Sequence, residues 1–255
     1  MLATRIIPTM LVKGKQLVKG QQFNSWRSIG HAAQAAQIHA SRGVDELCIL
    51  DISPKGRPNL ALIKDLSQWC FTPLTVGGGV MTMHDISNLM QSGADKVMIC
   101  SGAREVEFIT QASSRYGSQA IVVAVDYRYI DGFPCVMIGS GKEKVEMLHD
   151  DGPGPMHPVA WASRMEDLGA GEIMLTCIDR EGMMEGYDLD MIDLVASQVE
   201  IPVIAHGGCG TPYHALEALD AGADAVAIGA MFCFTDETPR SVAEYLNSKG
   251  KEVRL

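Results

Sequence analysis

The stretch GADKVMI at residues 93–99 recurs half a chain later as GADAVAI at residues 222–228. The glycine run at 77–79 recurs in the same way at 207–208. One period close to half of the chain length indicates two copies of a single building block. No linker rich in proline, glycine or serine separates the copies, so we expect residues 1–255 to form one closed unit.

Short apolar runs alternate with helical patterns along the whole chain, which predicts eight strands and eight helices. This alternation favours an α/β fold of the (β/α)8 TIM barrel type, with a doubly wound open sheet as the competing arrangement. The repeat favours the barrel, since two equal four-stranded halves, about residues 1–117 and 118–255, close by symmetry. The strands are predicted at 5–11, 47–51, 73–76, 96–100, 120–126, 172–177, 202–205 and 225–228. The helices are predicted near 31–42, 59–69, 83–92, 105–115, 157–168, 188–198, 212–221 and 238–248.

Two local patterns add detail to this prediction. Asn59, Thr82, Asp188 and Thr211 precede helical stretches and are suited to cap them. The segment of about 127–156 breaks the alternation with two apolar runs around a glycine turn, which predicts a β-hairpin inserted at the catalytic face.

The composition argues against several classes of function. A formal net charge of −10 does not suit a general nucleic-acid or anionic-membrane binder. No apolar run approaches the ~18 residues of a membrane span, and the N-terminus lacks the apolar core of a signal peptide. Seven scattered cysteines form no Cys-x-x-Cys pair, which indicates reduced thiols and no zinc site. We expect a cytoplasmic protein without metal or cofactor.

Glycines at two opposite strand ends predict two phosphate sites. Functional residues of such barrels lie at the C-terminal strand ends, and bare glycines let backbone N–H groups approach an anion. The same glycines also suit tight turns, but their symmetric placement favours one elongated ligand with a phosphate at each end. The first site comprises Gly77, Gly78, Gly79 and Ser101, and the second comprises Gly207, Gly208, Gly229 and Ala230.

Polar residues at the same strand ends are candidates for the chemistry. Asp126 ends the apolar fifth strand, where a carboxylate can act as general acid or base. The matching position of the first strand holds Leu11, which cannot transfer a proton. His206 is a candidate catalytic group or a structural hydrogen-bonding residue. Lys19, on the first loop, is a candidate phosphate ligand or a solvated charge. Asp51, Thr176 and Asp179 complete the expected substrate site.

Charged residues stand at the opposite ends of four strands: Arg5, Glu46, Lys96 and Glu172. Two interpretations are open. The four side chains form a salt-bridge ring that only stabilises the floor of the barrel, or they form a gate that admits a small molecule from below.

A set of short motifs extends along nearly the full chain. They are LAxRIIP at 2–8, VKG at 18–20, DEL at 45–47, LDI at 50–52, VGGG at 76–79, GADKV at 93–97, YGSQ at 116–119, AGEI at 170–173, IDR at 178–180 and ADA at 223–225. Together they resemble the cyclase subunit of imidazole glycerol phosphate synthase, here called HisF-like. That resemblance implies a barrel that receives ammonia from a class I, HisH-like glutaminase docked at its N-terminal face. It also implies a ligand with two phosphates and proton transfer by aspartates ending strands 1 and 5.

Carried over by position, the resemblance is uneven. The four ring charges match as an ammonia gate, and Asp95 matches a partner-docking position. Asp126 matches the strand-5 aspartate and Glu181 an acidic residue of the site, whereas the strand-1 aspartate falls on Leu11. The N-terminal face of the barrel, here called the floor, therefore fits the family. The C-terminal face, here called the roof, departs from it.

This asymmetry leads to one interpretation and two alternatives. The chain conducts glutaminase-derived ammonia for the amidination of a sugar in surface polysaccharide (O-antigen) biosynthesis, together with a separate sugar amidotransferase. Alternatively it is a genuine cyclase, a lyase of histidine biosynthesis, in which Glu181 or His206 replaces the missing acid. As a third possibility it is a non-catalytic scaffold that activates a glutaminase. The expected ligand is a phosphorylated small molecule.

Overall fold

Eight parallel strands close into a barrel in the computed structural model, which describes residues 3–53, 57–68, 70–139, 146–149 and 154–254. The last barrel strand pairs with the first, and the fifth pairs with the sixth, which closes the barrel. The predicted TIM barrel is confirmed, and the open sheet is excluded. Around the barrel the strands are β1 (Arg5–Lys13), β4 (Leu47–Asp51), β5 (Leu74–Gly77), β6 (Lys96–Ile99), β7 (Ile121–Ile130), β10 (Glu172–Cys177), β11 (Val203–His206) and β12 (Ala225–Ile228). The remaining strands are β2 (Gln16–Gln21), β3 (Asn24–His31), β8 (Phe133–Ile138) and β9 (Glu146–Met147).

An α-helix follows each barrel strand, and a second, short α-helix also follows β12. The helices are α1 (Ala32–Ser41), α2 (Leu60–Ser67), α3 (Met83–Gln91), α4 (Val106–Tyr116), α5 (Pro158–Asp167), α6 (Leu189–Ala196), α7 (Pro212–Asp220), α8 (Ala230–Phe234) and α9 (Pro239–Ser248). None of the helices in the described ranges is long and apolar enough to cross a membrane.

Three of the four predicted helix caps are confirmed. The side chains of Asn59, Thr82 and Thr211 each accept a hydrogen bond from a backbone N–H in the first turn. The prediction for Asp188 is wrong, because its side chain makes no capping bond. Its buried carboxylate instead accepts hydrogen bonds from the hydroxyls of Tyr127 and Tyr129, both at 2.9 Å.

The sequence prediction missed a β-hairpin after the first barrel strand. β1 runs on to Lys13, turns at Gly14 with a φ of 63°, and pairs antiparallel with β2, which pairs with β3. The predicted first loop is therefore a strand pair that rises above the barrel. At its tip Gln22 binds the β10 loop, through its N–H to the carbonyl of Glu181 and through its side chain to the carbonyl of Asp179.

A second hairpin stands where the insertion of about 127–156 was predicted. β7 extends beyond the barrel to Ile130 and pairs antiparallel with β8, which pairs with β9. Residues 140–145 and 150–153 of the predicted insertion lie outside the described residues.

The repeated GAD motif has the same geometry in both halves. Asp95 accepts a hydrogen bond from the N–H of Leu74 and donates its own N–H to the carbonyl of Leu74, at 2.8 and 2.9 Å. Asp224 makes the same pair of bonds with Val203, each at 2.9 Å. The aspartate of each copy thus fixes the start of the preceding strand, which gives Asp95 a structural role in addition to the predicted docking role.

Close backbone packing at the start of β10 gives a test of the fold. A Cβ at Gly171 would lie 2.0 Å from the carbonyl oxygen of Ser118, whereas one at Gly30 would meet nothing within 4 Å. We expect Gly171→Ala to lower the free energy of unfolding by about 2 kcal/mol or more, since backbone must shift to admit the methyl group. The matched variant Gly30→Ala should stay within about 0.5 kcal/mol of the wild type. Urea unfolding measures both, and equal values for the two would contradict the packing described here.

Candidate functional site

Four charged side chains form a closed ring at the floor of the barrel. Arg5 contacts Glu46 at 2.6 Å and Glu172 at 2.9 Å. Lys96 contacts the same two carboxylates at 3.0 and 2.9 Å. Each cation therefore lies between two anions, and each anion lies between two cations. The ring predicted from the strand starts is present, while its role as a gate stays a prediction.

Burial strengthens the electrostatics of this ring. Glu46 is 3% exposed, and its second oxygen accepts a hydrogen bond from the Thr75 hydroxyl at 2.5 Å. Burial alone raises the pKa of Glu46, but Lys96, Thr75 and Arg5 more than offset this and lower it. The sequence analysis did not single out Thr75. Its inward direction follows from the alternation of side chains along β5, the strand between those that follow Glu46 and begin with Lys96.

An apolar layer lies directly above the ring. It consists of buried side chains that point into the barrel from seven of its strands. Its members are Ile7, Cys48, Met98, Val122, Ala124, Met174, Ile204, Ala225 and Ala227. A molecule that passed through the ring would therefore meet hydrocarbon and sulfur atoms before it reached the roof.

A cavity of about 370 Å³ opens above this layer at the C-terminal strand ends. Its lining includes Asp126, Thr176 and His206, together with Leu11 and Asp51. The aromatic residues Phe23 and Trp26 of the first hairpin also line the cavity. The cavity brings together most of the predicted catalytic and substrate residues.

Asp126, Thr176 and His206 form a row across three adjacent strands. Thr176 is in register with Asp126 on one side and with His206 on the other. The Thr176 hydroxyl lies 3.2 Å from His206 Nδ1, and the Cys100 thiol lies 3.5 Å from Asp126 Oδ2. All three residues of the row are buried. We define this row as the polar wall of the cavity.

A buried ion pair lies behind the polar wall. Lys19 of β2 and Glu181 of the β10 loop are 2% and 4% exposed and contact each other directly. His206 Nε2 lies 3.8 Å from the second oxygen of Glu181. Burial lowers the pKa of His206 although Glu181 partly opposes this, which favours the neutral imidazole. Burial alone raises the pKa of Glu181, but the adjacent Lys19 ammonium reverses this and keeps it lowered.

The first predicted phosphate site borders the cavity. Gly78, Gly79 and Ser101 line it, with φ values of 108° and 67° at the two glycines. Gly78 also has a structural requirement, because a Cβ there would lie 2.1 Å from the carbonyl oxygen of Asp51. The Ser101 hydroxyl accepts a hydrogen bond from the N–H of Gly139 at 2.8 Å. Gly77 packs against Met98 at the end of β5.

The second predicted phosphate site lies beside the buried ion pair. A Cβ on Gly229 would be 2.7 Å from Lys19 Nζ, so the lysine ammonium lies against this strand end. Gly207 and Gly208 pack against the backbone of Cys177 and Gly186. Ala230 begins α8 directly after Gly229. Phosphate binding at both sites stays a prediction.

Two other predicted substrate residues have local hydrogen-bonding roles. The carboxylate of Asp51 accepts hydrogen bonds from the N–H groups of Ser53 and Asn59 at 2.9 and 2.8 Å. Asp179 accepts one from the N–H of Tyr129 at 2.8 Å. Asp51 lines the cavity while it holds its loop, and Asp179 ties the β10 loop to the second hairpin.

Sequence reasoning missed the aromatic part of the site. Phe23 and Trp26 lie in the hairpin that was taken for a loop, and their rings are 6.5 Å apart. The only sequence signal was the spacing of two aromatic residues after Gly20, which is weak without knowledge of the strand pairing. No group of three or more histidine, cysteine, aspartate or glutamate side chains in the described part of the chain is arranged to hold a metal ion.

Comparison with known proteins agrees with this architecture. The family model described as histidine biosynthesis protein matches residues 5–238. The chain belongs to this family. A Campylobacter jejuni protein (subsp. jejuni, serotype O:2) is named provisionally as imidazole glycerol phosphate synthase subunit hisF2. It is 41% identical to this chain over an alignment of 258 positions that covers both chains completely. The predicted resemblance to HisF-like cyclase subunits is thereby confirmed for the whole length of the chain.

The ring can be tested through the free energy of unfolding. We expect Glu46→Gln to lower it by about 3–5 kcal/mol at pH 7, because Arg5 and Lys96 are then left with one carboxylate. The matched control is Glu244→Gln, which breaks a largely exposed pair with Arg240 on α9 and should cost about 0.5 kcal/mol or less. Urea unfolding of the three proteins measures the difference.

The loss of unfolding free energy in Glu46→Gln should depend on pH. The pKa of Glu46 is lowered in the folded state, so its stabilising effect is complete above the ordinary value of 4.5 and is lost as the pH falls through the folded-state pKa. The difference in unfolding free energy between wild type and Glu46→Gln should therefore shrink below pH 4.5. A difference that grows on acidification would contradict the ion-pair assignment.

Proposed function

We propose that this chain is the HisF-like barrel subunit of a glutamine amidotransferase complex and conducts ammonia from a class I glutaminase to an acceptor at the C-terminal face. The observation that carries the proposal is the alignment of three layers on one axis. A ring of paired charges forms the floor, an apolar layer fills the middle, and the cavity with Asp126 forms the roof.

The glutaminase is proposed to dock at the N-terminal face, where the side chains of Arg5 and Lys96 are partly exposed. Asp95 is exposed at this face and is a proposed docking residue. The pairing of all four charges is compatible with a gate, since a ring held by four contacts can open by parting one pair while the other pairs hold.

The proposed acceptor is a sugar of surface polysaccharide biosynthesis, activated by a separate sugar amidotransferase. The replacement of the strand-1 acid by Leu11 supports this part, since ring-closing chemistry with two carboxylates lacks one of them here. The phosphate of the acceptor is assigned to Gly78, Gly79 and Ser101, and Asp126 to proton transfer, with His206 and Glu181 as supporting catalytic groups.

A second function is supported by the name of the Campylobacter relative, an imidazole glycerol phosphate synthase subunit. In this reading the chain closes an imidazole ring in histidine biosynthesis, and His206 supplies the second proton-transfer group. Complementation of a histidine auxotroph that lacks the cyclase distinguishes the two. Growth would establish the cyclase and overturn the sugar proposal, whereas the proposal predicts no growth.

Ammonia conduction has its own test in the complex with the glutaminase. We expect Lys96→Ala to reduce glutamine-dependent amination of the acceptor by about tenfold or more while amination by added ammonium salt, which enters from the roof, changes little. Association with the glutaminase, measured by calorimetry, and the rate of glutamine hydrolysis serve as controls for correct docking. Equal losses with glutamine and with ammonium would contradict a passage through the floor.

The missing acid can be restored as a further test. If the absence of a strand-1 carboxylate prevents ring closure, Leu11→Asp should raise ammonium-dependent cyclase activity by roughly 100-fold or more, the usual contribution of one positioned proton-transfer group. Leu11→Asn, which has a similar size and no ionisable proton, is the matched control. An equal effect of both substitutions would assign the change to packing.

A further inference from the structure

A second cavity lies outside the barrel, between the second hairpin and α5. It has a volume of about 340 Å³, and its lining comes from β8, β9, the segment that follows β9, α5 and Arg104. None of the described residues that line it also lines the cavity at the roof. We call it the outer cavity. Its volume lies at the lower end of the range for small-molecule sites, so a ligand that filled it would be of metabolite size.

One side of the outer cavity is apolar and is held by backbone hydrogen bonds. Ile138, Leu148, Met156 and Trp161 form this side, and all four are buried. The N–H of Leu148 donates to the carbonyl of Val136 at 2.8 Å, and the N–H of Met156 donates to the carbonyl of Leu148 at 2.9 Å. An apolar group could therefore be covered here without the cost of ordering a loose segment.

The polar part of the lining carries more positive than negative charge. It contains the guanidinium groups of Arg104 and Arg164, the imidazole of His149 and, among the described residues, one carboxylate, that of Glu146. The chain as a whole has a formal net charge of −10, so cations are locally concentrated in a protein that is otherwise acidic. A guanidinium presents its N–H groups in a planar fork that fits a carboxylate or a phosphate.

The two arginines reach the outer cavity from separate elements. Arg164 lies one helical turn after Trp161 on α5, with its guanidinium carbon 5.9 Å from the centre of the indole ring. Arg104 ends a short 3₁₀ helix that begins at Ser101, and the Ser101 hydroxyl ties this helix to the N–H of Gly139 at 2.8 Å. Arg104 is exposed and has no ion-pair partner within the described ranges, so its guanidinium is open to a ligand.

These two halves of the lining define one class of ligand. We propose that the outer cavity binds a small organic anion, whose carboxylate or phosphate is held by Arg104 and Arg164 and whose apolar part lies against the buried side chains. An inorganic anion would leave the apolar side uncovered, and a neutral apolar molecule would leave the guanidinium groups without a partner. The inference does not rest on the proposed function, since the proposed path of ammonia uses none of these residues.

Titration of the full-length protein, followed by NMR of its backbone amides, tests the ligand class and locates the site. The probes are phenyl phosphate and benzoate, inorganic phosphate as an anion without an apolar part, and benzyl alcohol as a ring without a charge. We expect phenyl phosphate or benzoate to bind about tenfold or more tightly than the last two and to shift the signals of Met147 and Leu148. The tighter of the two aromatic anions identifies phosphate or carboxylate as the preferred group.

Three results of this titration would overturn the inference. They are equal affinities for all four probes, no binding by either aromatic anion, and shifts confined to Gly78 and Gly79, which would place the ligand at the roof.

Two substitutions of opposite sign test the role of charge. We expect Arg104→Gln to weaken binding of the preferred aromatic anion by about tenfold, because a hydrogen-bonded cation is lost. Glu146→Gln removes the opposing carboxylate and should strengthen binding by about twofold to fivefold. Both side chains are exposed, so neither change should disturb the fold. The matched control is Arg240→Gln, which makes the same change of charge at an exposed pair on α9 and should leave the affinity unchanged.

The affinities of these variants decide the outcome. Equal affinities of the wild type and Arg104→Gln overturn the inference, and so does weaker binding by Glu146→Gln, which is the behaviour of a site for cations. Failure here is distinguishable from failure of the proposed function, since association with the glutaminase and amination of the acceptor are measured without these probes. A protein that conducts ammonia but binds no aromatic anion retains the proposed function and loses this inference, and the opposite pair of results shows the reverse.

Discussion

Closure of the strands into a barrel is the constraint on which the rest of this structure depends. Side chains alternate along a strand, so every second residue of a closed sheet must point inward at a successive height. In β1 this places Arg5 in the charged ring, Ile7 in the apolar layer and Leu11 at the cavity. In β7 the same alternation places Val122 below Asp126. Ring, apolar layer and cavity therefore share one axis without any additional element.

The order of these layers decides what can pass along the axis. Each charge of the ring is stabilised by two opposite charges, and an isolated ion that left the ring would enter hydrocarbon at a cost of several kcal/mol. For a neutral molecule of the size of ammonia, the free-energy cost of entering the apolar layer is far smaller, because it loses only its hydrogen bonds to water. If the proposed passage exists, the ring and the apolar layer together select the unprotonated form, which is also the nucleophilic one.

The sequence predicted the features that follow from period and position, and it missed those that follow from distant packing. The barrel strands follow from the regular spacing of apolar runs. The ring charges and Asp126 lie at the ends of these strands, where alternation alone fixes the direction of a side chain. The hairpin of β2 and β3 has a short apolar pattern and rests on the β10 loop through Gln22, a contact that no local signal reveals. Asp188 resembles a cap in sequence, yet two tyrosine hydroxyls from β7 compete successfully for its carboxylate.

The chemistry open to this roof depends on how many protons have to move. Within the described ranges, Asp51 and Asp126 are the carboxylates that line the cavity, and Asp51 is engaged by two N–H groups of its own loop. Addition of neutral ammonia to an electrophilic carbon leaves one proton to be removed, a task for a single base such as Asp126. The oxygen that the new C–N bond displaces then departs without an acid only if it is already activated, as in the acceptor proposed above. Closing a ring with expulsion of a leaving group also requires an acid, which in this cavity would have to be His206. Because burial lowers the pKa of His206, the neutral imidazole dominates at neutral pH and favours the reaction that needs one base over the reaction that needs both partners.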